Sequence, residues 1–232
     1  MLIQISNLTK KYRDYTALDA ISLQIASGKI IGLLGGNGSG KTTLLKILSG
    51  LIHGYSGEVL IDHHAPSPHT KSLLAYLPDK SLLPPHYSIQ SACKFFSDFY
   101  ADFNTTRAQE YCCELGLDTK ARLKSLSKGN QEKVALLLTL ARDARLYLLD
   151  EPIVGVDAIF REKLLGFLAR LRGKDSTIII ATHLITYVQD LLDEVIFIQD
   201  GAIKLHQEIA LLLAQNPSLE SYFKEFFHAK AT

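Results

Sequence analysis

Cysteine is scarce in this chain and charge of either sign is nearly balanced, and each shortage removes a class of function. Cys93, Cys112 and Cys113 are the only cysteines. They are odd in number and form neither a Cys-x-x-Cys pair nor a zinc-ligand spacing. No disulfide framework or structural zinc site is therefore expected, and reduced thiols in or near a core are. A formal net charge of +1 offers no broad field for nucleic acid or an anionic membrane surface, so any phosphate recognition has to be local. Signal-peptide features are missing from the start, Met1-Leu2-Ile3-Gln4. No apolar run reaches the length of a membrane span; the longest, Val134 to Ala141, is broken by Thr139 and flanked by Lys133 and Arg142. Repeats, low-complexity tracts and heptads are absent as well. His63, His64 and His69 sit in a Pro- and Ser-containing stretch without a supporting carboxylate, which reads as surface loop. The chain reads as cytosolic by itself.

What is present is an alternation of apolar strands and helices. Leu2–Ile5, Ile21–Ile25, Ile30–Leu34 and Gly57–Ile61 read as strands, and Thr42–Leu51 as a helix closing near Gly50. From Pro84 the texture becomes helical, with helices predicted over Ser88–Tyr100 and Thr106–Leu115. A helix (Gln131–Asp143), strand (Leu146–Leu149), helix (Ala158–Arg172) and strand (Thr177–Ala181) follow. Val195–Lys204 is a hairpin turning at Asp200-Gly201. Continuous apolar strands between helices predict an α/β fold with a mostly parallel sheet covered on both faces. Tyr222, Phe223, Phe226 and Phe227 recur at helical spacing in the tail and are expected to pack against the rest of the chain.

Gly35-Gly36-Asn37-Gly38-Ser39-Gly40-Lys41-Thr42 fits G-x-x-x-x-G-K-[ST] between a buried strand and a helix. The glycines let backbone N–H groups turn inward as a nest for anionic oxygens, and the following helix adds the positive end of its dipole. Lys41 supplies a point charge for the β- and γ-phosphates, and the Thr42 hydroxyl is a Mg²⁺ ligand. This is a nucleotide phosphate site. The strand Leu146–Leu149 runs into Asp150-Glu151, two acids at the end of an α/β strand where ligands of such sheets bind. Asp150 is the candidate for holding Mg²⁺ and Glu151 for orienting or deprotonating the attacking water.

Leu126-Ser127-Lys128-Gly129-Asn130-Gln131 resembles the L-S-G-G-Q signature of ABC ATPases, at the family's usual interval before Asp150. That resemblance extends over residues 2 to 205 in the family's motif order. It implies a P-loop ATPase with an antiparallel β-subdomain and an inserted helical subdomain. The implied division is a core of 1–83 and 127–205 including the β-subdomain, a helical subdomain of 84–126, and a helical tail of 206–232. It further implies ATP and Mg²⁺ as ligands, with Gly35, Asn37, Gly38, Ser39, Gly40, Lys41, Thr42 and Thr43 around the phosphates. By the same resemblance Tyr12 lies against adenine, Asp150 and Thr42 serve the metal, Glu151 acts with His183 near the γ-phosphate, and Gly155-Val156-Asp157 contacts an opposite subunit. Ser127 and Gly129 are the positions that face the γ-phosphate across a dimer, homo- or heteromeric. The implied role is an ATPase subunit, similar to those of bacterial multidrug or peptide exporters, acting at the inner face of the membrane on separate permease subunits and on no nucleic acid.

The pattern is broken at three places. Gly36 replaces a common Pro, and Lys128 and Asn130 depart from the signature. Asp79 in Tyr76-Leu77-Pro78-Asp79 stands where the family has a metal-sensing Gln; it is expected to serve the metal still and to raise the pKa of a neighbouring acid. Two other readings stay open: a non-transport ABC ATPase of translation or DNA repair, and a nucleotide-binding regulator without turnover. The long coiled coil, zinc modules and second cassette typical of the former are missing. Against the latter stand Lys41, Asp150, Glu151 and His183.

Overall fold

The computed structural model describes residues 1–79, 83–172, 176–214 and 218–228. Two sheets share the chain. The first is antiparallel, ordered β2-β1-β4, with β1 Ile3–Tyr12, β2 Tyr15–Ile25 and β4 Ser56–Ile61. The second is ordered β5-β6-β7-β3-β8-β9, from β3 Ile30–Leu34, β5 Leu74–Leu77, β6 Leu146–Asp150, β7 Thr177–Thr182, β8 Glu194–Gln199 and β9 Ala202–Glu208. Its pairs are parallel except β8 with β9.

Strand alternation sorts the core into two layers. Leu34, Tyr147, Leu149, Ile178, Ile180 and Phe197 face one side of the large sheet. That side is covered by α3 Ile89–Phe99, α4 Thr105–Glu114, α5 Lys128–Leu140, α6 Ala158–Leu171 and α8 Leu219–His228. Leu33, Leu146, Leu148, Ile179 and Ala181 face the other, against α1 Lys41–Leu48 and the antiparallel sheet. Two short helices, α2 Pro68–Leu73 and α7 Ile209–Leu213, are also present. Among the described residues no helix is long and apolar enough to cross a membrane.

Several boundaries move. β1 and β2 are about twice as long as their alternation indicated, because the pairing passes through bulges near Ser6–Leu8 that break the period. α5 begins at Lys128 and not at Gln131: Ser127 caps it by accepting from the Asn130 N–H at 3.3 Å. Gly129 therefore lies within the first turn. The tail aromatics do pack: the centroids of Tyr222, Phe223, Phe226 and Phe227 lie 5.0–6.0 Å from that of buried Phe197. The ends of the helical segment meet, since Leu123 N–H donates to Tyr87 O at 2.8 Å and Lys124 N–H to Pro85 O at 2.9 Å.

Candidate functional site

Parallel register brings the candidate residues to one edge. Leu34 pairs with Thr182, Asp150 with Ala181, and Leu77 with Leu149. The residues leaving these four strand ends are therefore neighbours: Gly35 after β3, Glu151 after β6, His183 after β7 and Pro78-Asp79 after β5. This is the carboxyl edge of the sheet, where ligands of α/β folds sit.

The glycine-rich loop is shaped by close approach. A Cβ on Gly35 would stand 2.3 Å from Ile198 O, and one on Gly40 would stand 2.7 Å from Ala17 O, on a backbone at φ +110°. No larger residue fits either position. Gly40 is the N-cap of α1 and offers no side chain to the helix end, so the first N–H groups of α1 have no intrahelical acceptor. Together with the helix dipole they favour an anion. In the same loop the Ser39 hydroxyl is buried with no partner among the described residues.

One cavity of about 350 Å³ is lined by Asn37, Gly38, Ser39, Gly40, Lys41, Thr42, Thr43, Asp79, Glu151 and His183. Lys41 Nζ donates to Gly35 O at 2.8 Å and Gly36 O at 3.0 Å, and stands 3.9 Å from Glu151 Oε1. Burial lowers its pKa, opposed by the charges of Glu151 and Asp150. Thr42 Oγ1 donates to Asp150 Oδ1 at 3.1 Å, while Asp150 Oδ2 is buried with no partner among the described residues. Burial raises the Asp150 pKa; the Thr42 bond opposes this, and the charges of Asp79 and Glu151 add to it. The sequence reading expected such an effect of Asp79. Glu151 sits at φ +51°, with Oε1 at 2.9 Å from His183 Nδ1 and Oε2 accepting from Thr182 Oγ1 at 2.9 Å.

Other residues named from sequence lie elsewhere. Tyr12 ends β1, 42% exposed, with Lys10 Nζ 5.0 Å from its ring centroid; the cavity is lined instead by its cross-strand partner Tyr15, whose hydroxyl donates to Gly38 O at 2.9 Å. Ser127 and Gly129 line neither this cavity nor its neighbour of about 260 Å³, which includes Lys128, Gln131, Glu132, Asp79, Asp150 and Glu151. Asp157 caps α6 through the Phe160 N–H at 2.8 Å. Tyr15, Ala17, Val154 and Thr182 belong to no motif in the sequence; a second tyrosine so close to Tyr12 is the one available signal.

The sequence pattern of the ABC transporter family matches residues 18–154. The SkfA peptide export ATP-binding protein SkfE of Bacillus subtilis is 32% identical over 214 residues, covering 90% of this chain and 89% of that one. The lantibiotic transport ATP-binding protein SrtF of Streptococcus pyogenes is 28% identical, covering 89% and 91%. A solved ATP-binding subunit of an ABC transporter superposes with a TM-score of 0.89 at 21% identity, covering 98% of this chain and all of that one. A dimeric post-hydrolysis cassette bound to ADP and Pi superposes with a TM-score of 0.79 at 24% identity, covering 89% and 98%. The family's phosphate loop and strand-end acids fall within the matched span, Glu151 shares one cavity with the loop and Asp150 is bonded to Thr42: this chain belongs to the ABC transporter family, as one of its ATP-binding ATPase cassettes.

Proposed function

We propose that the cassette drives export through separate membrane subunits, pairing head to tail with a second cassette around ATP. The observation that carries this reading is the convergence of Lys41, Thr42, Asp79, Glu151 and His183 on one cavity while Ser127 and Gly129 stand outside it. A site that holds the P-loop and the acids but not the signature is half a site, completed by the signature of another chain.

Within that half, the first turn of α1 and Lys41 take the β- and γ-phosphates, Lys41 Nζ exchanging the Gly35 and Gly36 carbonyls for phosphate oxygens. Tyr12 offers an exposed ring to the adenine, a contact indifferent to which flat base is stacked. A magnesium ion fits at Thr42, Asp150 and Asp79, since Asp150 Oδ2 is buried with no partner among the described residues. When bound, it supplies Lewis-acid stabilisation of charge on the phosphate oxygens. Glu151 orients a water and accepts its proton as oxygen bonds the γ-phosphorus. The bond from that phosphorus to the bridging oxygen breaks, giving ADP and phosphate. His183 stands beside Glu151 to meet the γ-phosphate, and Ser127 and Gly129 of the second chain meet it from the opposite side. Hydrolysis removes the group that joins the two chains, so the pair opens, and this two-state motion is available to membrane subunits.

For those subunits the helical segment 84–126, behaving as a subdomain, offers Phe95 and Phe99, 44% and 70% exposed. By family resemblance, residues near Asp79 to Tyr87 form the docking groove for a membrane-subunit helix; of these, 80–82 lie outside the described residues. Export of a peptide-like cargo is favoured by the likeness to the peptide and lantibiotic transport proteins.

The test is to purify tagged Glu151→Gln protein from gently solubilised membranes with ATP present. The reading expects ATP binding without turnover, a stable cassette dimer, and a multispanning membrane protein at near-equal stoichiometry. A strictly monomeric variant in saturating ATP counts against pairing with itself. Ribosomal or DNA-repair proteins in place of a membrane protein overturn the transport assignment.

A further inference from the structure

Thr182 closes β7 and is fully buried. Its hydroxyl has two partners: it accepts from the Leu184 N–H at 3.0 Å and lies 2.9 Å from Glu151 Oε2. A threonine hydroxyl carries one proton. Since the Leu184 N–H brings its own, and an ionised carboxylate has none to give, the hydroxyl proton points to Oε2. The direction of this bond is therefore fixed by chemistry.

The two oxygens of Glu151 are treated differently. Oε1 faces the nucleotide cavity, near His183 Nδ1 at 2.9 Å and Lys41 Nζ at 3.9 Å. Oε2 is turned away to Thr182, which does not line that cavity. The His183 side chain is 44% exposed and the Lys41 contact is long, so both can change when phosphate enters. The Thr182 bond is enclosed. Glu151 also begins from a left-handed backbone, anchored by its N–H to Ala181 O at 2.8 Å. Such a conformation is costly for a non-glycine residue and persists only where its surroundings enforce it. Ala181, Thr182 and His183 thus grip, in order, the backbone, the rear oxygen and the front oxygen of one acid.

We propose that Thr182 is a positioning residue for ATP hydrolysis: it fixes Oε2 of Glu151 so that Oε1 alone is presented to the attacking water. This rests on the reading of Glu151 as the group that activates water. Thr182 is buried and does not line the nucleotide cavity, so it acts only through the glutamate. A carboxylate deprived of this donor is free to rotate about its last torsion, and its productive orientation becomes one of several.

The experiment compares Thr182→Val, Thr182→Ser and Glu151→Gln in the full chain with Mg²⁺ and ATP, measuring kcat, KM for ATP, binding of a fluorescent ATP analogue and Tm. Valine keeps the shape without the hydroxyl; serine keeps the hydroxyl. The loss of a hydrogen bond to a charged group corresponds to roughly a tenfold to hundredfold change. Thr182→Val should therefore lower kcat by about tenfold or more, with KM and analogue binding within about twofold of the parent. Thr182→Ser should restore kcat to within about threefold. Valine also strips the Leu184 N–H of its acceptor, so Tm falls, but a purely structural loss would reduce binding and kcat together. If Thr182→Val is too unstable to purify, Thr182→Ala is judged by the same split. A hydroxyl-free variant with parental kcat, or with equal losses in binding and kcat, overturns the proposal while an inactive Glu151→Gln leaves the reading of Glu151 standing. Turnover by Glu151→Gln itself would instead overturn that reading, and the role of Thr182 with it.

Discussion

The Thr42 hydroxyl donates to Asp150 Oδ1 at 3.1 Å, tying the first turn of α1, which lines the phosphate cavity, to the last residue of β6. The acid so held is only half satisfied, because its other oxygen is buried with no partner among the described residues. Burial lifts its pKa, and the nearby charges of Asp79 and Glu151 lift it further against the Thr42 bond. Ionising Asp150 thus costs more in the folded than in the unfolded chain. Folding stability should fall as pH rises from the ordinary carboxylate value through the raised one, and stay lowered above it. Asp150→Asn removes that penalty. Without Mg²⁺ its Tm should exceed that of the parent at pH 7.5, and the gap should close as pH approaches about 4. With Mg²⁺ and ATP the order should reverse, since only the parent acid can use the ion; thermal melts at both conditions check this.

Asp79 replaces an uncharged amide by a carboxylate on the wall shared by both cavities. Its charge opposes ionisation of Asp150 while the site is metal-free and adds to the attraction for a cation. Asp79→Ala should therefore raise the Mg²⁺ concentration giving half-maximal turnover by several-fold. It should also stabilise the metal-free protein slightly at neutral pH and, where the proposed membrane subunits are supplied, weaken their stimulation of turnover. A magnesium titration of ATPase activity decides it: an unchanged midpoint and unchanged stimulation would sink the assigned role.

The phosphate loop and the strand-end acids were legible because each is a run of consecutive residues with its own local chemistry. What the sequence hid is tertiary or cooperative. Thr182 is unremarkable in a strand of β-branched residues until parallel register sets it beside Glu151. Tyr15 became visible only once hairpin pairing laid it over the loop, where its hydroxyl meets Gly38. The start of α5 was misplaced because Gly129 and Asn130 are poor helix formers, and the Ser127 cap overrides that local preference. In β1 and β2 the bulges destroyed the alternation that marks a strand. The aromatic spacing of the tail announces a packed face; its counterpart, Phe197, lies in the apolar run 195–198 and carries no mark.

At the opposite edge of the sheet, Glu194 accepts from Lys29 and lies 2.8 Å from His206 Nε2. Burial pushes its pKa up, but the bonds to Lys29 and His206 outweigh burial and the net direction is down. The bond to Glu194 likewise raises the Lys29 pKa. The sign is opposite to that at Asp150. A depressed folded value contributes stability that is present above the ordinary carboxylate value and lost as pH falls through the folded one. The raised Lys29 value contributes stability that is full below its ordinary value and lost as pH rises through the folded one. Glu194→Gln should therefore cost about 1–2 kcal/mol at neutral pH, roughly 3–6 °C in Tm for a chain of this size. That cost should shrink toward acid pH, with ATP turnover scarcely altered. A pH series of melts distinguishes this from a simple packing defect, whose cost would not follow pH.

Phe197 is fully buried on β8, and the four aromatic rings of α8 surround it. α8 is also tied to the segment after β7 by a hydrogen bond from Thr186 to Glu220. The two attachments differ in kind. A buried ring cluster gains from area removed from water and from edge-to-face contacts, whereas an exposed polar pair is largely matched by water. Phe197→Ala should thus cost about 3–5 kcal/mol and lower Tm by roughly 10 °C, while Glu220→Ala should change Tm little. Hydrogen exchange should show residues 219–228 losing protection first in Phe197→Ala, ahead of β3, β6 and β7. Because the phosphate cavity is built on those three strands and not on α8, binding of a fluorescent ATP analogue at 25 °C should survive the substitution. Loss of binding at a temperature where β3, β6 and β7 remain protected would mean that α8 supports the site through the Thr186 segment. Glu220→Ala should then reproduce the binding defect without the fall in Tm.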